Sequence, residues 1–176
     1  MARRSVPGRA DGPVPVISLA DFARDNSSSL ARFAYLVCGD RGLAEDLVQD
    51  AFTALYRRFG ETLSLDAPVA YARRAIVNGH ISSTRRRSAT LTATGQLPER
   101  AVDAVDHGEQ DAMWRLLATL PARQRAVLVL RYYVDLSDAE IADVLGCRQG
   151  TVRSLASRAL VALRGEHTLS LLEDPS

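Results

Sequence analysis

The chain contains no lysine, and all 22 of its basic residues are arginine. This absence excludes mechanisms that depend on a lysine side chain, such as the phosphate-binding lysine of a P-loop or a Schiff base. We attribute the bias toward arginine to a GC-rich genome and not to a chemical requirement. The net charge of +1 hides a strong local segregation of acidic and basic residues.

Cysteine and histidine are also scarce. Cys38 and Cys147 lie far apart in unlike surroundings, which argues against a disulfide framework and for a reducing cytoplasm. The histidines, His80, His107 and His167, have no spacing typical of a metal site. We therefore expect no metal and no other cofactor.

Long apolar runs are missing as well. No stretch approaches the roughly 18 apolar residues of a membrane span. Residues 1–18 carry basic side chains, but three prolines interrupt them, and no apolar segment of about 7 to 15 residues follows, so we expect no signal peptide. We expect a flexible N-terminal tail and a cytoplasmic protein with no membrane partner.

The stretch 136–164 indicates a helix, a tight turn and a second helix. Ser137 and Glu140 have the spacing of a capping box, in which the side chain of each accepts a hydrogen bond from the backbone N–H of the other. Gly146 can end this helix because glycine enters the left-handed conformation without steric cost. Apolar residues follow at helical spacing in both segments.

Charges are sorted between these two helices, with acids in the first and arginines in the second. The second helix contains no acid between Cys147 and Arg164. Such a helix can contact phosphates while a few side chains reach base edges in the major groove. An ordinary helical hairpin with a solvated arginine face is the alternative. We call the polar side of the second helix the reading face: Arg148, Thr151, Arg153, Ser154, Ser157 and Arg158.

A second informative helix is predicted over 43–59, after a turn in which Asp40 can cap the helix. It has a continuous apolar stripe and an equally continuous polar one. The polar stripe is either solvated surface or, since it mixes acids and an amide, a surface for docking to a basic protein helix. We call it the acid-amide stripe: Asp46, Gln49, Asp50 and Thr53.

A basic helix is predicted over 69–88, following a loop that ends at Pro68 near the helix start. It contains no acid. It can bind nucleic acid, lie on an anionic membrane or present a solvated face, and membrane is the weakest of these because its apolar face is mostly alanine and valine. We call its polar members the basic set: Arg73, Arg74, Asn78, Arg85, Arg86 and Arg87.

Residues 88–108 lose the helical period, which predicts a linker with a relaxed span of about 25 Å. Two more helices are predicted over 110–133, with Pro121 at the first position of the second. The fold class is therefore all-α, with two small helical domains joined by a flexible linker. The expected division is a tail (1–18), a first domain (19–87), the linker (88–108), a second domain (109–165) and a C-terminal tail (166–176).

Four blocks in this order resemble the extracytoplasmic-function sigma factors, the minimal two-domain kind that directs bacterial RNA polymerase to promoters. The resemblance covers nearly all of residues 19–165 and is greatest to an actinobacterial subgroup. The blocks are FAYLVCGDRGLAEDLVQDAF, YARRAIVNGHISSTRRRS, LPARQRAVLVLRYYVDLSDAEIADVLGC and GTVRSLASRALVALR.

The resemblance implies a role for each set of residues. The first domain would be sigma region 2 and the second sigma region 4. The acid-amide stripe would bind the clamp helices of core RNA polymerase, and the basic set would engage the minus-ten element and its strand separation. The loop of residues 60–68 would help to capture a base turned out of the stack. The reading face would recognise the minus-thirty-five element.

The partners implied by the resemblance are core RNA polymerase, through its clamp helices and flap, promoter DNA and an anti-sigma factor. The rival hypothesis is a stand-alone helix-turn-helix repressor or activator with a helical dimerisation domain. An enzyme is the third class, but no paired carboxylates, nucleophile with a base, or phosphate loop stands out. We therefore expect no catalytic residue.

Overall fold

Helices account for most of the chain that this computed structural model describes, which is residues 16–64, 67–94 and 109–172. The expected all-α fold is confirmed, with one small sheet in addition. The elements are β1 (Val16–Ser18), α1 (Leu19–Cys38), α2 (Arg41–Phe59), β2 (Thr62–Ser64), α3 (Pro68–Thr94), α4 (Glu109–Ala118), α5 (Ala122–Leu128), a π-helical turn (Val129–Tyr133), α6 (Asp138–Leu145) and α7 (Gln149–Leu172).

The small sheet pairs β1 with β2 in antiparallel register, with Ile17 opposite Leu63. Leu63 is fully buried, and the backbone N–H of Leu19 donates to the carbonyl of Glu61 at 2.8 Å. The expected tail therefore ends earlier than residue 18, and residues 1–15 lie outside the described part. Three-residue strands are too short to show a period of two, so the sequence could not reveal them.

The predicted helix ends are confirmed where side chains form them. The Asp40 carboxylate accepts from the Leu43 N–H at 2.7 Å at the start of α2. At the start of α6, Ser137 and Glu140 form the reciprocal capping box, which lowers the pKa of Glu140 through hydrogen bonds from the Ser137 side chain and backbone. Gly146 ends α6 in the left-handed conformation, with φ 59°.

Two long helices extend past the expected domain limits. Helix α3 continues to Thr94, so its last turns occupy the first part of the expected linker, and residues 95–108 lie outside the described part. Helix α7 continues to Leu172, so most of the expected C-terminal tail is helical. Extending an existing helix adds a hydrogen bond for each residue fixed, which offsets the weak propensity of SATLTAT in α3.

The helix expected to run to Tyr133 changes form on the way. Pro121 occupies the N-cap position, just outside α5 and one residue before its expected position. After Leu128 the backbone makes a π-helical turn, and the N–H of Val134 donates to the carbonyl of Val129 at 3.2 Å. A π-turn inserts an extra residue and is often found at functional sites. The inserted residue displaces the side chains that follow from their α-helical positions.

Two helical modules each have buried apolar residues of their own. The first module (α1 to α3 with the small sheet) buries Phe33, Leu55 and Ile76, and the second module (α4 to α7) buries Ile141 and Val152. Helices α6 and α7 form the predicted helix-turn-helix. None of the helices within the described ranges is long and apolar enough to cross a membrane.

The two modules pack against each other at the C-terminal end of α1. Trp114 of α4 is buried and lies directly over Gly39, because a Cβ added to that glycine would come within 1.7 Å of the indole. The indole also lies 6.3 Å from the Tyr35 ring, centroid to centroid. The sequence did not predict this contact.

A buried arginine crosses the same boundary. Arg125 of α5 is only 4% exposed, and its guanidinium donates to the Val37 carbonyl at 3.2 Å in the first module and to the Leu120 carbonyl at 3.1 Å in its own. Carbonyl oxygens at the end of α1 carry the negative pole of the helix, which favours a cation there. The arginine thus fixes how α5 lies against α1.

Candidate protein-binding and nucleic-acid interfaces

The acid-amide stripe lies on the solvent side of α2. All four of its residues, Asp46, Gln49, Asp50 and Thr53, are exposed. Gln49 and Asp50 follow Asp46 by three and four positions, and Thr53 follows them by four and three, so all four share one face. The opposite face of α2 is buried in the first module. The stripe is therefore a rigid surface that presents two carboxylates, an amide and a hydroxyl. A basic helix of another protein has the complementary charge.

Three members of the basic set form one row along α3. Arg74, Asn78 and Arg85 are exposed, and spacings of four and seven residues place them on the same side of the helix. The other side of α3 is anchored in the core through Ile76 and Val77. The row combines two cations with an amide, which can contact phosphates and base edges respectively.

The remaining members of the basic set do not join this row. The guanidinium of Arg73 lies 5.8 Å from the centroid of the Phe33 ring and is partly buried, so it packs against the first module as a cation–π pair. Arg86 is exposed on another side of α3. The side chain of Arg87 lies outside the described part of the chain.

An aromatic cluster that sequence reasoning missed lies at the two ends of the loop between α2 and α3. The guanidinium of Arg58 lies 5.4 Å from the Phe59 ring centroid and 5.8 Å from that of Tyr71. The two rings meet edge to face at 5.8 Å. Aromatic rings and a guanidinium group are planar and can stack on an unpaired base. An arginine–aromatic pair directly before the loop is the signal that could have identified this cluster.

The reading face is exposed along the first turns of α7. Its apolar opposite side, including Val152 and Ala159, is buried in the second module. The Ser154 hydroxyl donates to the Gly150 carbonyl at 2.9 Å, and the Arg158 Nε donates to the Ser154 carbonyl at 3.2 Å. All six predicted members are exposed, with Arg148 directly before α7 and the other five on its first turns: Arg148, Thr151, Arg153, Ser154, Ser157 and Arg158.

One member of the reading face has a partner on another helix. The Nε of Arg153 lies 3.4 Å from Oδ2 of Asp138, the first residue of α6. The other oxygen of the same carboxylate accepts from Arg131 in the π-turn. Asp138 is one of the acids in the first helix of the predicted pair, and the sequence pattern anticipates neither contact because both bridge separate elements.

The buried Cys38 is not a candidate for chemistry in this structure. Both cysteines are free, and burial raises the pKa of the Cys38 thiol to about 11. That thiol is therefore protonated at neutral pH, and its Sγ donates to the Asp40 carbonyl at 3.1 Å. Within the described ranges, no group of three or more His, Cys, Asp or Glu residues could hold a metal ion.

Comparison with protein families finds a match for each of the two modules. Residues 22–90 match the model of sigma-70 region 2, and residues 110–163 match the model of sigma-70 region 4. The two matches together cover more than half of the chain. They coincide with the module that carries the acid-amide stripe and the basic row, and with the module that carries the helix-turn-helix.

Similar proteins and a solved structure agree with these two family matches. The RNA polymerase sigma-E factors of Streptomyces avermitilis and Streptomyces coelicolor are each 33% identical to this chain over 153 residues, which is 86% of this chain and 86% of each relative. The ECF RNA polymerase sigma factor SigC of Mycobacterium tuberculosis is 34% identical over 154 residues, 83% of this chain and 81% of that protein. The sigma factor RpoE of Bartonella quintana, solved with the anti-sigma factor NepR, has the same fold, with a TM-score of 0.58 and 24% identity over 82% of this chain and 95% of that one.

Proposed function

The chain belongs to the sigma-70 family of RNA polymerase sigma factors, in its extracytoplasmic-function group, and from this premise we propose that it binds core RNA polymerase through the acid-amide stripe and reads promoter DNA through α3 and α7. The observation that carries the proposal is the position of two exposed carboxylates on the rigid face of α2. An acidic surface repels DNA, so a DNA-directed protein uses it for a protein partner.

In the first module, we assign the minus-ten element to the row of Arg74, Asn78 and Arg85. An unstacked base can lie against the Arg58, Phe59 and Tyr71 cluster beside the row. Because such a surface binds a single strand better than it binds a duplex, it shifts the melting equilibrium toward the open state. The arginines add phosphate affinity that falls as salt rises.

In the second module, we assign the minus-thirty-five element to the reading face of α7. Each module alone offers few DNA contacts. When polymerase fixes the separation of the modules, binding of one module to DNA raises the effective concentration of the other at its own element. Two weak contacts then act as one strong contact. Both modules match one family, and this favours the sigma factor over a stand-alone repressor or activator.

The proposal includes three further statements about the chain's surroundings. It acts in the cytoplasm, with the polymerase, and has no catalysis of its own. It is also held by an anti-sigma factor, as the Bartonella quintana neighbour is in its solved complex. An anti-sigma factor would have to cover the acid-amide stripe or one of the two DNA-binding faces in order to block initiation.

Run-off transcription tests the function directly. Purified core polymerase is incubated with and without the full chain on a genomic promoter library, and start sites are mapped from the transcripts. The chain is expected to create a discrete set of start sites that core alone does not use. If core polymerase with the chain initiates no better than core alone, the proposed function is wrong.

Replacing Arg153 with alanine should weaken recognition at a single base pair of the upstream element by about 1–3 kcal/mol, if its guanidinium reads a base. Affinity is measured for the polymerase complex on promoters substituted at each position in turn. Arg24→Ala is the matched control, because it removes the same charge from an exposed position in the first module. An equal loss on every sequence would assign Arg153 to a phosphate instead, and no loss at all would remove it from the site.

A further inference from the structure

Three elements of the second module meet at the carboxylate of Asp138. Oδ1 accepts from the guanidinium of Arg131 in the π-turn, and Oδ2 lies 3.4 Å from the Nε of Arg153 on α7. The side chains of Asp138 and Arg131 are 28% and 25% exposed, whereas that of Arg153 is 69% exposed. The carboxylate is therefore anchored on its sheltered side and offers its outer oxygen to the reading face.

Unusual backbone geometry holds the sheltered side of this group. The π-turn is followed by Asp135 in the left-handed conformation, with φ 60°, and the N–H of Leu136 donates to the Leu130 carbonyl at 3.0 Å. A non-glycine residue at positive φ costs free energy and persists only where its surroundings hold it. Together these features return the chain so that Arg131 faces the first residue of α6.

The capping box at the start of α6 is formed by Ser137 and Glu140 and does not use Asp138. An acid in this first turn interacts favourably with the helix dipole. A negative charge next to a helix that faces phosphates opposes DNA affinity, since phosphate binding depends on positive charge. The contact with Arg153 gives the carboxylate a role that offsets this cost.

The geometry of the pair determines which donors of Arg153 remain available. Asp138 faces Nε, and the two terminal amino groups lie at the far end of the planar guanidinium. These two groups form the fork that donates to O6 and N7 of a guanine in the major groove. We propose that Asp138 is a positioning residue that holds Arg153 so that its terminal fork addresses a guanine edge.

This inference rests on the proposed function, because it assumes that α7 reads promoter DNA. Without the carboxylate, the long Arg153 side chain must lose rotamer freedom when it binds. Immobilising such a side chain corresponds to about a two- to tenfold change in affinity. We expect Asp138→Asn to reduce the preference for guanine at one base pair by about this factor, with little change at other positions.

The experiment uses the full chain bound to core polymerase on promoter fragments that vary at each position of the upstream element. Wild type, Asp138→Asn, Arg153→Ala and the double variant are compared. The effect of Asp138→Asn should fall on the same base pair as that of Arg153→Ala, and it should vanish in the Arg153→Ala background. Asp138→Ser serves as a second variant that keeps a polar side chain at the helix start, and thermal unfolding monitors the fold of each variant.

Asp143→Asn is the matched control, because it removes the same charge from an exposed position on the same helix. It should raise affinity for all sequences evenly and leave the guanine preference unchanged. If both Asp138 variants keep the wild-type preference while Arg153→Ala loses it, the positioning role is wrong and the proposed function stands. If Arg153→Ala also keeps the preference, the assignment of Arg153 fails and the inference fails with it. If the wild-type complex shows no promoter selectivity, the proposed function itself fails.

Discussion

Replacing Asp50 with arginine is expected to abolish binding of the chain to core RNA polymerase while leaving the fold unchanged. Asp50 is exposed at the centre of the acid-amide stripe, so the substitution disturbs no buried contact. It reverses the charge that faces a basic partner, and truncating one partner of a desolvated charge pair already costs about 2–5 kcal/mol. Affinity should therefore fall by at least about thirtyfold, measured by co-purification with core enzyme and by titration with labelled protein.

Asp25→Arg provides the control for this prediction. It makes the same change of charge at an exposed position of α1, outside the stripe. Binding should be reduced much less, and both variants should melt as the wild type does. Normal co-purification of the Asp50 variant would count heavily against α2 as the polymerase-binding surface.

Local sequence patterns predicted the parts of the structure that depend on near neighbours. The capping box of Ser137 and Glu140, the cap at Asp40 and the left-handed Gly146 are each set by residues within one helical turn. The exposed stripe of α2 and the reading face of α7 follow from the period of 3.6 residues, because one face of each helix is apolar enough to be buried. These features needed no knowledge of the tertiary arrangement.

Features that join distant residues were not predictable in this way. Helical period placed Arg73 with the other arginines of α3, but the position of the Phe33 ring on α1 turned it into a packing partner. The same applies to the bridge from Arg153 to Asp138, which depends on the π-turn. Sequence pattern reports which side of a helix is polar, and it does not report what the neighbouring element brings to that side.

Packing of the two modules has a consequence for polymerase binding. The contact uses the end of α1, the buried Trp114 and Arg125, and faces of α3, α5 and α6. It leaves the acid-amide stripe of α2 exposed. In the proposed function, polymerase therefore engages the stripe while the modules remain together, and the separation of the proposed DNA-binding faces is set in a later step. If the two steps follow this order, substitutions at the contact between the modules should change affinity for the promoter more than affinity for polymerase.

Gly39→Ala should break the contact between the modules. Gly39 ends α1 with φ 76°, a left-handed conformation that costs about 1–2 kcal/mol for a residue with a Cβ. The new Cβ would also lie within 1.9 Å of three atoms of the Trp114 indole, so the ring must leave its place. Losing a buried tryptophan contact costs up to about 3–5 kcal/mol more. Denaturant unfolding, followed by the fluorescence of this sole tryptophan and by circular dichroism, measures both effects.

Gly146→Ala separates the steric cost from the backbone cost. Gly146 has φ 59°, yet a Cβ added there meets no atom within 4 Å, so only the cost of about 1–2 kcal/mol for the left-handed conformation remains. In a Trp114→Ala background, the effect of Gly39→Ala should fall to this same value, since the clash has been removed. The modules would not be held together at this point if Gly39→Ala and Gly146→Ala lowered the free energy of unfolding equally. In that case the folded Gly39→Ala protein would also show the tryptophan emission of the wild type.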